Sequence, residues 1–188
     1  MNGPAAGETI LAAIVRGDSE AWTSLYRSHA AAVYRFGLAM CGSASLAEEA
    51  TQETFVAVMK QASNYDRSRG TVQAWLLGIA RHKILRLLNA EGRQGRVNVD
   101  DRGPAVDRDA APAFERERMA AEVRKAVMSL PANYREAVVL CELEEVDYEM
   151  AAQVLDCPIG TVRSRLHRAR RMLAAKLEHL RPEGKGAR

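Results

Sequence analysis

Residues Asp147–Leu173 read DYEMAAQVLDCPIGTVRSRLHRARRML: a short amphipathic segment, a tight turn and a strongly basic amphipathic segment. That order is the pattern of a helix-turn-helix whose second helix faces DNA. At about 100° per residue from Val162, an apolar stripe collects Val162, Leu166, Ala169, Leu173, Leu177 and Leu180. Ser164, His167, Arg168 and Arg171 fall on the opposite face, with Arg163 and Arg170 on one flank. The stripe is suited to pack on the first helix, which offers Ala151, Val154 and Leu155. Asp147 is placed to cap that first helix, and Pro158 suits a helix start because its missing N–H would be unpaired there.

A basic helix face is by default a solvated face. The charge distribution argues for more. Cys141–Pro158 holds Glu142, Glu144, Glu145, Asp147, Glu149 and Asp156 and no Lys or Arg. Ile159–Arg188 reverses the balance with Arg163, Arg165, Arg168, Arg170, Arg171, Lys176, Arg181, Lys185 and Arg188 against Glu178 and Glu183. A net charge of only +3 over 188 residues conceals this local field.

The rest of the chain is read outward from there. Apolar residues make up 47 %, enough for folded cores. No apolar run is long enough to span a membrane and no signal-peptide pattern opens the chain, so a cytoplasmic protein without membrane insertion is expected. Cys41, Cys141 and Cys157 lack CxxC or Cys/His spacing and the four His are scattered, so no metal and no cofactor is expected. No Ser/His/Asp, metal-binding or phosphate-loop pattern points to an enzyme.

Nearly every periodic segment is helical and no strand alternation stands out, which predicts an all-α chain. Glu8–Arg16 reads as a short helix. Ser19–Met40 follows, capped by Asp18 and ended by Gly42, with Trp22, Leu25, Tyr26, His29, Val33, Phe36 and Met40 at helical spacing. Ser45 and Glu48 fit a capping box for a third helix to about Gln61, with Leu46, Ala50, Phe55, Val58 and Met59 inward. Ser63–Gly70 is a polar loop. Thr71–Asn89 forms a fourth helix carrying Trp75, Leu76 and Ile79 among Arg81, His82, Lys83 and Arg86. Gly92–Ala113 is rich in Gly and Pro and poor in apolar residues, so it reads as a flexible linker. Its 22 residues reach roughly 70 Å when extended, which lets two domains sit far apart. Phe114–Ser129 resumes helical spacing with Met119, Val123 and Val127, and Asn133–Leu143 forms another helix before the helix-turn-helix. The expected architecture is two small helical domains, residues 8–91 and 114–181, joined by 92–113.

Two stretches carry a family resemblance. LPANYREAVVLCELEEVDYEMAAQVLDCPIGTVRSRLHRARRML resembles the fourth conserved region of bacterial extracytoplasmic-function sigma factors. AEEATQETFVAVMK followed by YDRSRGTVQAWLLGIARHK resembles their second. Their order, spacing and intervening linker match as well.

The resemblance implies a dissociable subunit of bacterial RNA polymerase that is not itself an enzyme. The C-terminal domain would read the −35 element of promoter DNA. The N-terminal domain would bind core RNA polymerase and recognise and open the −10 element, and the linker would thread near the polymerase active-site channel. It also implies an anti-sigma factor that covers these faces.

For the −35 element the candidates are Arg163, Ser164, Arg165, His167, Arg168 and Arg171. Arginine paired to guanine is the commonest specific contact, although most such groups touch only phosphate. Arg165 lies nearer the packed side, where an intradomain pair competes with a DNA role, and for His167 plain solvation does. Opening DNA without a nucleotide cofactor requires capture of unstacked bases. Asn64, Tyr65, Arg67 and Arg69 in the loop, with Trp75 beyond it, are the candidates, against an ordinary loop and a core tryptophan. Arg81, Lys83 and Arg86 are candidates for duplex phosphates, against a solvated helix face.

Glu49, Gln52, Glu53 and Phe55 are the candidates for core polymerase, because TQETF matches the family's clamp-binding helix. On charge alone they would be a solvated acidic face. The chain departs from the family where His82, Arg86 and Asn89 stand in place of Asn, Asp and Arg. It departs again where Glu145 and Asp156 replace glycines. The competing reading is a two-domain DNA-binding regulator that never joins polymerase; TQETF and the basic-helix segment upstream of the linker, which such a regulator would not need, argue against it.

Overall fold

The computed structural model describes residues 4–94 and 111–180, with side chains for 9–90 and 115–180. Among them every regular element is helical. The N-terminal half contains α1 (Pro4–Val15), α2 (Ser19–Cys41), α3 (Ala44–Gln61) and α4 (Val72–Gln94). The C-terminal half contains α5 (Ala111–Met128), α6 (Ala132–Val138), α7 (Tyr148–Leu155) and α8 (Ile159–Lys176).

The helix boundaries follow the local chemistry. The Asp18 carboxylate accepts from the amides of Glu20 (2.9 Å) and Ala21 (3.0 Å), and α2 ends on Gly42 at φ 68°, where a left-handed residue closes the helix. The third helix is capped by Ser43, whose hydroxyl accepts from the Leu46 amide (3.4 Å); the expected Ser45–Glu48 capping box is two residues too late. Asp147 caps α7 through the Met150 amide at 2.7 Å. Asp156 follows α7 at φ 48° and Glu145 precedes it at φ 52°, so both departures from glycine sit in the backbone conformation that glycine favours.

Four local expectations change. The Ser63–Gly70 loop is two short 3₁₀ turns, Ala62–Asn64 and Arg67–Arg69. The helix read through Leu143 is α-helical only to Val138 and then widens into a π-turn, Val139–Leu143. Met59, Met119 and Val123 lie outward rather than in the core. Helix α4 runs to Gln94 and α5 starts at Ala111, so each takes residues from the expected linker; the remainder of that segment, residues 95–110, lies outside the described residues.

In the N-terminal half α2, α3 and α4 enclose Leu25, Val33, Phe36, Met40, Leu76, Leu77 and Ile84, all nearly inaccessible. In the C-terminal half Val162, Leu166 and Ala169 of α8 meet Ala151, Val154 and Leu155 of α7 and the buried side of α6. The halves do not stand apart. Helix α4 packs on α7, and α2 packs on α5 and on the π-turn, so the two cores are continuous. A long connection permits separation but does not enforce it when apolar surface is available to bury.

Candidate nucleic-acid and polymerase interfaces

Helix α8 divides as the wheel predicts. Val162, Leu166 and Ala169 are buried, while Arg163, Ser164, His167, Arg168, Arg170 and Arg171 are exposed. The tight Asp156–Pro158 turn holds α7 behind α8, so the exposed face points away from the rest of the domain.

The cations on that face are not equivalent. Arg163 lies over the Tyr148 ring, 5.8 Å from its centroid. Arg170 donates to the Glu142 carboxylate, which holds its guanidinium above the usual arginine range. Arg165 is half-buried and points an amino group at the Cys157 sulfur, 3.9 Å away. This intradomain contact is the alternative to a DNA role that its wheel position suggested. The Ser164 hydroxyl donates back to the Thr161 carbonyl, 3.0 Å away. Arg168 and Arg171 are exposed and, among the described residues, have no acidic partner. Two cations held on a rigid helix without a counter-charge are the strongest anion-binding feature of the surface.

The loop between α3 and α4 is braced from within. The Tyr65 hydroxyl donates to the Gly70 carbonyl (2.9 Å), and its ring meets Trp75 edge-on at 5.6 Å. Asp66 accepts from the Ser68 hydroxyl (2.7 Å) and amide (2.9 Å), which lower its carboxyl below the usual range. Asn64, Arg67 and Arg69 are left on the outside, while Tyr65 and Trp75 are half-buried. Trp75 is therefore a brace of the loop as well as a candidate base platform.

On α4 the predicted cations are engaged. Arg81 is largely covered, with 18 % of its side chain exposed, and it makes a two-point contact with Glu136 of α6 at 2.8 and 3.3 Å. It is not open to phosphate in this arrangement, which corrects the expectation. Lys83 and Arg86 both bind the Glu53 carboxylate, at 3.2 and 2.8 Å. The acid assigned to polymerase and two bases assigned to DNA thus form one cluster across α3 and α4, and none of the three is a free charge. His82, at the departure from the family pattern, sits 2.8 Å from the Gly78 carbonyl.

Glu49 and Gln52 are exposed and, with Glu53, Val56 and Lys60, line a shallow groove between α3 and α4. Phe55 is not on that surface. It is 3 % exposed and packed between Trp22 (6.0 Å) and Tyr26 (4.8 Å). Helical spacing had already placed it inward, and assigning it to the interface on the TQETF match overrode that signal. Val56 and Met59 are the exposed apolar groups of α3. Sequence reasoning also missed Arg135, Glu136 and Glu144, whose partners are distant in sequence and carry no periodic signal.

Comparison with known proteins agrees with this geometry. The Sigma-70 region 2 family matches residues 25–94, and the Sigma-70 region 4 family matches residues 120–173. The ECF RNA polymerase sigma factor SigM of Bacillus subtilis is 32 % identical over 80 % of this chain and 91 % of its own length. The ECF sigma-E factor of Haemophilus influenzae is 31 % identical over 70 % of this chain and 75 % of its own. SigE of Mycolicibacterium smegmatis is 37 % identical over 81 % of this chain, which spans 60 % of that longer relative.

Two solved structures share the fold. CnrH, in complex with the cytosolic domain of CnrY, superposes with a TM-score of 0.68 at 22 % identity, over 93 % of this chain and 98 % of that one. The sigma factor RpoE of Bartonella quintana, in complex with the anti-sigma factor NepR, gives 0.64 at 24 % identity, over 85 % and 98 %. With both sigma regions in order on one chain, a helix-turn-helix carrying the basic face and relatives matched across most of its length, the protein belongs to the extracytoplasmic-function sigma factors of bacterial RNA polymerase.

Proposed function

We propose that this sigma factor divides promoter recognition between two surfaces and core-enzyme binding to a third. The function common to the family is to bind core RNA polymerase and direct it to particular promoters, as a DNA-binding initiation factor and not as an enzyme. The domain bounds that follow from this reading are residues 8–91 and 114–181, with 92–113 between them.

In our reading α8 enters the major groove of the −35 element. Arg168 and Arg171 are its principal contacts, Arg163, Ser164 and His167 are accessory ones, and Arg165 mainly braces the turn. The observation that carries this assignment is the exposed pair Arg168 and Arg171, which have no acidic partner among the described residues, on a helix whose opposite side buries Val162, Leu166 and Ala169. Each bidentate arginine–guanine contact is worth about 1–3 kcal/mol of discrimination.

The loop bearing Asn64, Arg67 and Arg69 takes the −10 strand, with Tyr65 and Trp75 setting its shape. Capture of an unstacked base needs a preformed surface, which the Tyr65–Gly70 and Asp66–Ser68 bonds supply. Arg81 joins once its pairing with Glu136 is released.

Core polymerase docks on the α3 face through Glu49, Gln52 and Glu53, with Val56 and Met59 as apolar anchors, while Phe55 supports the surface from beneath. An acidic rim around an apolar centre suits a basic helical partner. The structural neighbours' complexes with CnrY and NepR support an anti-sigma factor as a further partner.

The test is co-migration. Full-length protein mixed with core polymerase should elute with it in gel filtration, and Glu49→Ala with Gln52→Ala should weaken that association without altering helix content. A protein that binds promoter DNA at nanomolar concentration and never elutes with polymerase would overturn the assignment.

A further inference from the structure

The cations on one flank of α8 are tied back to their own domain. Glu142 belongs to the π-turn Val139–Leu143, where an extra residue widens the helix. Val139 and Leu140 stay buried there, while Glu142 is exposed. Its carboxylate reaches Arg170, 28 residues further on, and one oxygen accepts from both Nε (3.1 Å) and Nη2. Arg163 lies two turns earlier on the same flank of α8. Tyr148 of α7 serves both arginines. Its ring faces Arg163, and its side chain adds to the effect of Glu142 in holding the Arg170 guanidinium above the usual arginine range.

The exposed arginines of α8 therefore fall into two kinds. Arg168 and Arg171 have no acidic partner among the described residues, whereas Arg170 is matched by a carboxylate of its own domain. The pair is open to water, with 58 % of the Arg170 side chain and 41 % of the Glu142 side chain exposed, so it adds little to folding stability. Its effect on an approaching duplex is larger. Arg170 can bind a phosphate only by leaving Glu142, and the freed carboxylate then stands beside the same phosphates and repels them. The matched pair offers DNA no net charge.

We propose that Glu142 is a positioning residue that withholds Arg170 from the DNA backbone and so limits sequence-independent binding by α8. Phosphate contacts carry no sequence information, and they supply nearly all of non-specific affinity. With Arg170 held, α8 meets the duplex through Arg168 and Arg171. The inference rests on the assignment of α8 to DNA made above.

The test uses the full chain and a fluorescein-labelled duplex of arbitrary sequence, about 20 bp or two helical turns long. Anisotropy titrations run over a salt series that starts low, where such binding is strongest. Each phosphate neutralised steepens the plot of log affinity against log salt by about 0.9. Glu142→Gln should bind more tightly at low salt, with a slope steeper by that amount. Arg170→Ala should leave the wild-type slope unchanged, yet remove the added steepness in the Glu142→Gln background. Equal effects of Arg170→Ala in both backgrounds would mean that net charge alone is at work and would overturn the inference. A Glu142→Gln slope equal to that of the wild type would overturn it too. Arg168→Ala with Arg171→Ala tests the underlying reading separately. A slope lowered by that pair but unmoved by Glu142→Gln rejects the withholding of Arg170 alone; a slope that neither moves rejects the assignment of α8 to DNA with it. Circular dichroism checks helix content, and if Glu142→Gln lowers it, Glu142→Ala takes its place with the same expectations.

Discussion

Replacing Arg168 and Arg171 together with alanine removes two exposed cations of α8 that have no acidic partner among the described residues. Both are exposed and the helix is held by Val162, Leu166 and Ala169 behind them, so folding stability should move by less than about 0.5 kcal/mol. Promoter affinity of the holoenzyme should respond strongly. If both groups read bases, the loss is roughly 2–6 kcal/mol together, about 30-fold or more. If both hold phosphates, the loss is similar for every sequence, and the slope of log affinity against log salt falls by about 2. Binding of the purified holoenzyme to labelled promoter DNA across a salt series separates these cases, and gel filtration reports whether polymerase association is intact. Unchanged promoter affinity in a folded variant, or loss of polymerase association instead, would refute the assignment of this face to DNA.

Phe55→Ala should cost about 3–5 kcal/mol of stability, because it empties the space between Trp22 and Tyr26; a variant that melts like the wild type would contradict the burial. Glu145→Gly should raise the urea midpoint by up to about 1 kcal/mol in stability, since it relieves a left-handed glutamate; a lowered midpoint would count against that strain. Burial lowers the pKa of His29 below 6.5, so the unfolded chain takes up a proton on this side chain before the folded one does. Stability should therefore fall as pH drops below 6.5, and His29→Gln should flatten that part of the profile. An unchanged slope in thermal melts between pH 7 and 5 would show that the histidine stays hydrated.

Much of the fold was legible because local rules set it. Asp18, Gly42 and Asp147 act at the helix ends where their chemistry predicts, and Val162, Leu166 and Ala169 of the expected stripe are buried, while Leu173, Leu177 and Leu180 are half-buried toward and beyond the end of α8. Local rules misled where two signals coexisted. Ser43 and Ser45 both suit a helix cap, and the choice depends on where the backbone leaves α2. Met59 and Met119 keep helical spacing yet face outward, because spacing identifies a face and not what covers it.

The candidate site was read least well where charges pair over long separations. Glu53 with Arg86, Arg81 with Glu136 and Arg35 with Glu144 are 33, 55 and 109 residues apart, beyond any periodicity argument. For the same reason the linker's reach suggested separated domains, while the closed arrangement depends on residues that no local pattern joins. Phe55 is the opposite case: its spacing was informative and the motif match displaced it.

The account stands most directly on where transcription begins. Core RNA polymerase, with and without the purified protein, should be offered a library of promoter sequences and the 5′ ends of the RNA mapped. The account predicts new start sites that share an upstream pair of elements and that disappear with Arg168→Ala and Arg171→Ala. Start sites unaltered by the protein would contradict it.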